Sequence, residues 1–194
     1  MSKTDLHLDT LELLGRLWKQ SSSEEEKARL DFALDALSFI FHTGQSYAFE
    51  DYRKSLDANA PPLVMATFQT REEAKEWLAN HPSPPNHAKV LIAGEYHHVI
   101  YFRDGNIRGL PPTPFLEYYL GEMIEDGLPP PVATFHTHEE ATTWLHSQPE
   151  PPRQVFIQIA GEYYLAVYHY RVNQRALYPI SLARKSAPEE EAGD

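Results

Sequence analysis

The chain has 194 residues, of which 42% are hydrophobic and 12% aromatic. That is enough for one sizeable domain or two small lobes sharing a core, and it excludes global disorder. A formal net charge of −11, from 28 acids against 17 bases with no clustered Lys or Arg, speaks against nucleic acid as a partner and makes a basic protein the easier one. The absence of cysteine excludes disulfides, thiolate chemistry and Cys-type zinc sites and fits a cytoplasmic location.

The first predicted element is a helix from about Asp5 to Lys19. Its start has no basic region followed by an apolar one, so no secretory signal is expected. No apolar run approaches the ~18 residues of a membrane span. "SSSEEE" then supplies a helix start, with Ser22 or Ser23 capping and Glu25 or Glu26 reaching back. The helix that follows, "RLDFALDALSFIF", is apolar on more than one side, which predicts a buried helix ending at Gly44 in a left-handed conformation. "FEDYRKSL" reads as a third, short helix.

A duplication organises the rest. Residues 66–112 ("ATFQTREEAKEWLANHPSPPNHAKVLIAGEYHHVIYFRDGNIRGLPP") align without a gap on residues 133–179 ("ATFHTHEEATTWLHSQPEPPRQVFIQIAGEYYLAVYHYRVNQRALYP") at an offset of 67, with nearly half the positions identical. Each copy opens with a β-branched, aromatic strand that turns into a helix through Thr-x-x-Glu. The pairs Thr70 with Glu73 and Thr137 with Glu140 form the pattern of a capping box. Ala74, Trp77 and Leu78, and their counterparts Ala141, Trp144 and Leu145, give each helix one apolar face. Pro82 and Pro149 end the helices, and a stiff "SPP" or "EPP" leads into a hairpin around Gly94-Glu95 or Gly161-Glu162. Gly at the first turn position suits a type II′ turn with Glu at the second. "RDGN" marks a further turn before a short strand at Ile107 to Leu110, and "RVNQ" is its weaker counterpart. Between the copies, "TPFLEYYLGEMIEDG" is a linker helix with Pro at its start and Gly127 past its end.

The expected fold is therefore α+β: two tandem β-α-β-β(-β) repeats sharing a sheet or packed pseudo-symmetrically, preceded by a helical segment. The segment covers residues 1–59, repeat 1 covers 60–112, the linker helix 113–128, repeat 2 129–181, and a disordered acidic tail 182–194.

Several residues invite a functional reading. Glu95 and Glu162 form a pseudo-symmetric acidic pair suited to acid/base work or cation binding, or else they merely fill a turn. Tyr96 and Tyr163 lie on strands, as core packing or as a ligand cage. His97 and His98 alternate faces and cannot chelate one ion from one side. Arg108 and Arg175 recur two residues after a turn Asn, placed to pair with a carboxylate of the fold or to contact a partner. His136 and His138 resemble a metal site, but copy one has Gln69 and Arg71 there, and zinc would need a third ligand such as His146. Plain helix capping is the better reading of that stretch. No Gly-rich phosphate loop, G-x-S-x-G, H-E-x-x-H or EF-hand pattern occurs, so no cofactor is implied.

The signature "ATFxTxEEAxxWL…PxPP…IAGEYxxxxYxxxxNxRxL", with "FIFHTGQSYAFEDY" before it, resembles a family of uncharacterised bacterial proteins with the same tandem arrangement. That resemblance covers about Asp31 to Pro179, and some of those proteins carry a phage-head label. In size, acidity and lack of cysteine the chain is also similar in style to the immunity proteins of bacterial polymorphic toxins. Neither resemblance supplies functional residues. The expectation is a non-enzymatic protein-binding protein, an immunity-type inhibitor of a basic toxin. A structural or assembly protein and a small-ligand sensor or enzyme using the two Gly-Glu-Tyr turns are the alternatives.

Overall fold

A computed structural model describes residues 3–56 and 60–184. The chain forms two compact units, Met1–Lys54 and Ser55–Asp194. It mixes helix and strand, as expected of an α+β chain.

The first unit is helical. Helix α1 (Lys3–Gln20) and helix α2 (Glu24–His42) pack as an antiparallel hairpin, and α3 (Ser46–Ser55) follows. The antiparallel order shows in the pairs at each end. The His7 and Phe41 rings stack at 5.1 Å, while Lys27 Nζ lies 5.5 Å from the Trp18 ring. Ser23 caps α2 by accepting from the Glu26 N–H. The far end closes as a Schellman motif: Gly44 (φ 69°) donates to Phe41 and Gln45 to Ile40. One expectation fails here. No residue of α2 is buried, and Phe32 is 78% and Phe39 60% exposed. The helix has two apolar faces: Leu30, Leu34 and Leu37 are half-buried, while Phe32 and Phe39 stay exposed.

The second unit holds both repeats. Strand β1 (Val64–Phe68) leads into α4 (Arg71–Asn80) and returns as β2 (Lys89–Ile92), parallel to β1. Strand β3 (Glu95–His98) pairs antiparallel with β2, and β4 (Ile100–Phe102) with β5 (Ile107–Gly109). The linker helix α5 (Phe115–Glu125) ends at Gly127, whose φ is 89°. The second copy then repeats the plan: β6 (Thr134–Phe135), α6 (His138–Ser147), β7 (Gln154–Ile159), β8 (Glu162–His169) and β9 (Gln174–Pro179). The registers coincide at the offset of the duplication. Phe68 faces Ile92 as Phe135 faces Ile159, and Tyr101 faces Arg108 as Tyr168 faces Arg175.

The copies differ where proline intervenes. In copy two, β8 and β9 form one continuous ladder. In copy one the matching ladder is broken into β3, β4 and β5, because Pro111, where copy two has Tyr178, has no N–H to donate. His98 N–H still reaches the Pro111 carbonyl at 3.0 Å, and Thr113 N–H reaches that of Tyr96 at 2.9 Å.

The two repeats form separate sheets that meet in one shared core. Strand alternation sends residues to two faces. Leu91 and Tyr96 from one copy, and Phe156, Leu165, Val167 and Tyr178 from the other, meet in a shared core with Leu116 and Leu120 of α5. On the opposite faces Val90 and Ile92 pack on Ala74 and Leu78 of α4, and Ile157 and Ile159 on Ala141 and Leu145 of α6. The order is helix, sheet, sheet, helix. Each fully buried Leu contributes about 1.5–3 kcal/mol, and much of that gain sits in the layer neither repeat has alone.

The expected disordered tail does not begin at residue 182. A 3₁₀ turn spans Ile180–Leu182, and Arg184 N–H donates to the Glu117 carbonyl at 2.9 Å. Residues 185–194 of that tail lie outside the described residues.

Candidate functional site

The duplicated hairpins do not have the expected geometry. Ala93 (φ 51°) and Gly94 (φ 85°) are the two central residues, as are Ala160 (φ 51°) and Gly161 (φ 88°). Positive φ at both positions is the requirement of a type I′ turn, not II′. Glu95 and Glu162 are therefore not turn residues. They open strands β3 and β8, facing Ile92 and Ile159. Both are exposed, and Glu162 accepts a hydrogen bond from Ser181 Oγ at 2.7 Å. No described contact links the two glutamates.

One residue on, the chain turns inward. Tyr96 is 3% exposed in the shared core, and Tyr163 packs against the same cluster. A Glu and a Tyr on opposite faces of a strand cannot converge on one ligand.

Tyr96 belongs to a buried polar seam that sequence reasoning misses. Its hydroxyl is 3.3 Å from Nε2 of His169, and the rings meet edge to face at 5.8 Å. Tyr178 donates to the Gly94 carbonyl at 3.3 Å. Tyr119 reaches Gln154 Oε1 at 2.8 Å and the Ala60 carbonyl at 3.2 Å. Burial dominates the protonation of all these groups. It pushes the Tyr96 phenol well above its usual range, with Tyr178 and Tyr119 adding to the effect, and it raises Tyr178 and Tyr119 too. His169 is pushed down to about 4 by burial, while the Pro62 carbonyl weakly favours the charged ring. At neutral pH the seam is thus an uncharged hydrogen-bonded set joining the repeats. The duplication hides it, because the counterpart of His169 is the exposed Phe102. His169, Tyr168, Arg153, Pro62 and Val64 line a shallow depression with a cavity volume of about 10 Å³, far below the ~300 Å³ at which small-molecule pockets begin.

Arg108 and Arg175 have a common structural role. Arg108 Nη1 donates to the carbonyls of Leu78, Ala79 (3.1 Å) and His81 (2.8 Å), at the end of α4. Its Nε donates to Asn106 Oδ1 at 3.0 Å. Arg175 Nη2 makes the corresponding contact to the Gln148 carbonyl, after α6, at 3.4 Å. Each guanidinium also lies over a tyrosine ring, Tyr101 at 5.3 Å and Tyr168 at 5.1 Å. The expected carboxylate is replaced by a helix C-terminus, where unpaired carbonyls and the negative end of the dipole favour a cation. Asn106 (φ 48°) and Asn173 (φ 50°) occupy the left-handed region that Asn tolerates best after Gly.

The histidine stretch is helix capping. Thr70 and Glu73 form a full capping box. In copy two Thr137 accepts from the Glu140 N–H, while Glu140 Oε2 accepts from the His136 N–H at 2.9 Å. His138 Nδ1 lies 3.3 Å from Thr142 Oγ1. His97 is buried, with Nδ1 3.1 Å from the Glu95 carbonyl. Among the described residues no three His, Asp or Glu side chains converge to hold a metal, and no helix is long and apolar enough to cross a membrane. No family model, curated protein or solved structure matches this chain.

Proposed function

We propose that this is a non-enzymatic protein-binding protein whose acidic repeat unit engages a basic protein, as an immunity-type inhibitor would engage a toxin. One observation carries the reading. Among the described residues of the repeat unit, exposed carboxylates such as Glu72, Glu76, Asp104, Glu125 and Glu150 form no ion pair, while several bases are held by the fold. Arg108 and Arg175 hold helix ends, Lys89 Nζ lies 4.3 Å from the Phe115 ring, and Arg153 lies 3.7 Å from that of Tyr170. The surface that remains is acidic. Such a surface steers a basic partner and fixes its register.

The test is affinity capture from the source cell with the tagged full chain at about 0.1 M salt, followed by titration of the retained protein. A stoichiometric basic partner whose affinity falls with salt, and falls further in Glu72→Gln with Glu76→Gln and Glu150→Gln, supports the reading. Absence of any retained protein, or a partner indifferent to salt, overturns it.

A further inference from the structure

The helical hairpin carries a second apolar stripe whose charges match its own reverse copy. We propose that α1 is a self-association surface: two chains pair through their α1 helices, antiparallel about a two-fold axis, into a four-helix assembly.

Four residues of α1 define the stripe. Leu6, Thr10, Leu13 and Leu17 are spaced four, three and four apart, the alternation of a heptad seam. They sit about 100° around the helix from His7, Leu11, Leu14 and Trp18, the positions that face α2. Leu6 is 39%, Leu13 46% and Leu17 43% exposed. Thr10 donates its hydroxyl to the Leu6 carbonyl at 2.6 Å, so it brings no unsatisfied donor to the seam. The antiparallel order and right-handed winding put Ala33 and Ile40 of α2 on the same side of the hairpin. Small or aliphatic residues there allow close approach.

Stability requires such a cover. Every buried hydrophobic residue among those described lies at Ala60 or beyond, so the helical unit has no fully buried side chain among its described residues. A two-helix hairpin does not close a core by itself, whereas four helices do. The face is about 27 Å long for an 18-residue helix and two helices wide, roughly 500 Å² in projection per copy. Counted over two copies and their side-chain relief, that reaches the ~1,200 Å² of the smaller stable interfaces.

Charge selects the occupant. Asp9 and Arg16 lie seven residues apart on one flank of the stripe, and neither forms an ion pair among the described residues. If the stripe meets itself antiparallel, Leu6 lies over Leu17 of the second copy and Thr10 over Leu13. The Asp9 of each chain then faces the Arg16 of the other, giving two equivalent ion pairs. A parallel pairing would set each of these charges against the leucine flank instead. The pattern is that of an isologous interface, complementary to its own copy.

The test uses the purified full chain, with no partner present, and so stands apart from the basic-partner reading. Sedimentation equilibrium from about 1 to 100 μM, the range of weak to moderate dimers, should show a species of twice the 22.2 kDa chain mass. Leu13→Glu should weaken association at least tenfold with helicity by circular dichroism unchanged. Asp9→Arg alone and Arg16→Asp alone should each weaken it several-fold, and the two together should restore it. A monomer across the whole range overturns the proposal. So does a dimer that neither Leu13→Glu nor the single charge reversals perturb, because it would use another surface.

Discussion

The Tyr96 hydroxyl of the first repeat lies 3.3 Å from Nε2 of His169 in the second, and both residues are 3% exposed. Nδ1 of the same ring makes no well-formed hydrogen bond among the described residues, and although the Pro62 carbonyl favours the charged ring, the hydration lost on burial outweighs it. The folded pKa of about 4 lies below the ordinary 6.5. The unfolded chain therefore takes up the proton first as pH falls. The associated stability is complete above about pH 6.5, declines below it, and is lost by about pH 4, by roughly 3 kcal/mol in all and about 2 by pH 5. Urea unfolding at pH 7.5 and pH 5 should show a larger acid loss for the native chain than for His169→Gln, whose amide keeps a partner for Tyr96 without titrating near neutrality. Equal losses would mean that His169 is not buried neutral.

Gly121 of α5 sets a second test. A Cβ built there would stand 2.1 Å from the Arg184 carbonyl oxygen, because residues 180–184 lie across the helix and Arg184 donates to Glu117. On helix propensity alone Gly121→Ala would stabilise by up to ~1 kcal/mol. Here the segment must lift away, and the expectation reverses to a loss of about 1–3 kcal/mol. Thermal or urea denaturation decides the sign. A stabilised Gly121→Ala chain would mean that residues 180–184 do not pack on α5.

The two arginine clamps differ in strength although they share a sequence pattern. Arg108 reaches three carbonyls at the end of α4, whereas Arg175 reaches one at 3.4 Å, and its Nε has no partner among the described residues. A charged donor contributes about 1.5–3 kcal/mol per well-made hydrogen bond. Arg108→Ala should then cost about 2–3 kcal/mol and Arg175→Ala about 1 or less. Arg108→Lys should recover only part of this, since the three carbonyls meet a single nitrogen, which an ammonium can imitate, while the shorter side chain loses the Nε bond to Asn106. Denaturant midpoints of the three variants would show the order; equal costs for Arg108→Ala and Arg175→Ala would refute the clamp.

Much of this architecture is legible because the chain states it twice. Thr70 with Glu73 and Thr137 with Glu140, the apolar faces of α4 and α6 and the strand order all follow from local rules, and the duplication shows which positions matter. Interactions that reach far along the chain are not legible. Arg108 binds main-chain carbonyls some thirty residues back, and carbonyls leave no trace in a sequence pattern, which points to a carboxylate instead. His169 has no counterpart in copy one beyond an exposed Phe102, which hides its link to Tyr96 across the repeats. Burial of α2 cannot be read from its pattern, because an apolar helix looks the same whether its own chain or a second one covers it.

The hairpin turns sit one position earlier than glycine alone indicates, for a reason that yields the last prediction. Glycine is the residue best able to take positive φ, yet Ala93 and Ala160 take it as well, at φ 51°. For an L-residue with a Cβ this region costs about 1–2 kcal/mol. The strain persists because the register on either side is fixed: Ile92 faces Glu95, Ile159 faces Glu162, and the Ala93 and Ala160 N–H groups donate to the Phe68 and Phe135 carbonyls at 2.9 Å. Asn-Gly is the preferred pair for a type I′ turn. Ala93→Asn and Ala160→Asn should each stabilise by about 0.5–1 kcal/mol, and together nearly additively, since the two turns share no described contact. Gly94→Ala and Gly161→Ala should do the opposite, even though nothing lies within 4 Å of where either Cβ would stand, because the cost there is conformational. Raised midpoints for the Asn variants and lowered ones for the Ala variants would establish the turn type in solution. A neutral or destabilising Ala93→Asn would return Glu95 to the turn and, with it, the paired-glutamate reading of the site.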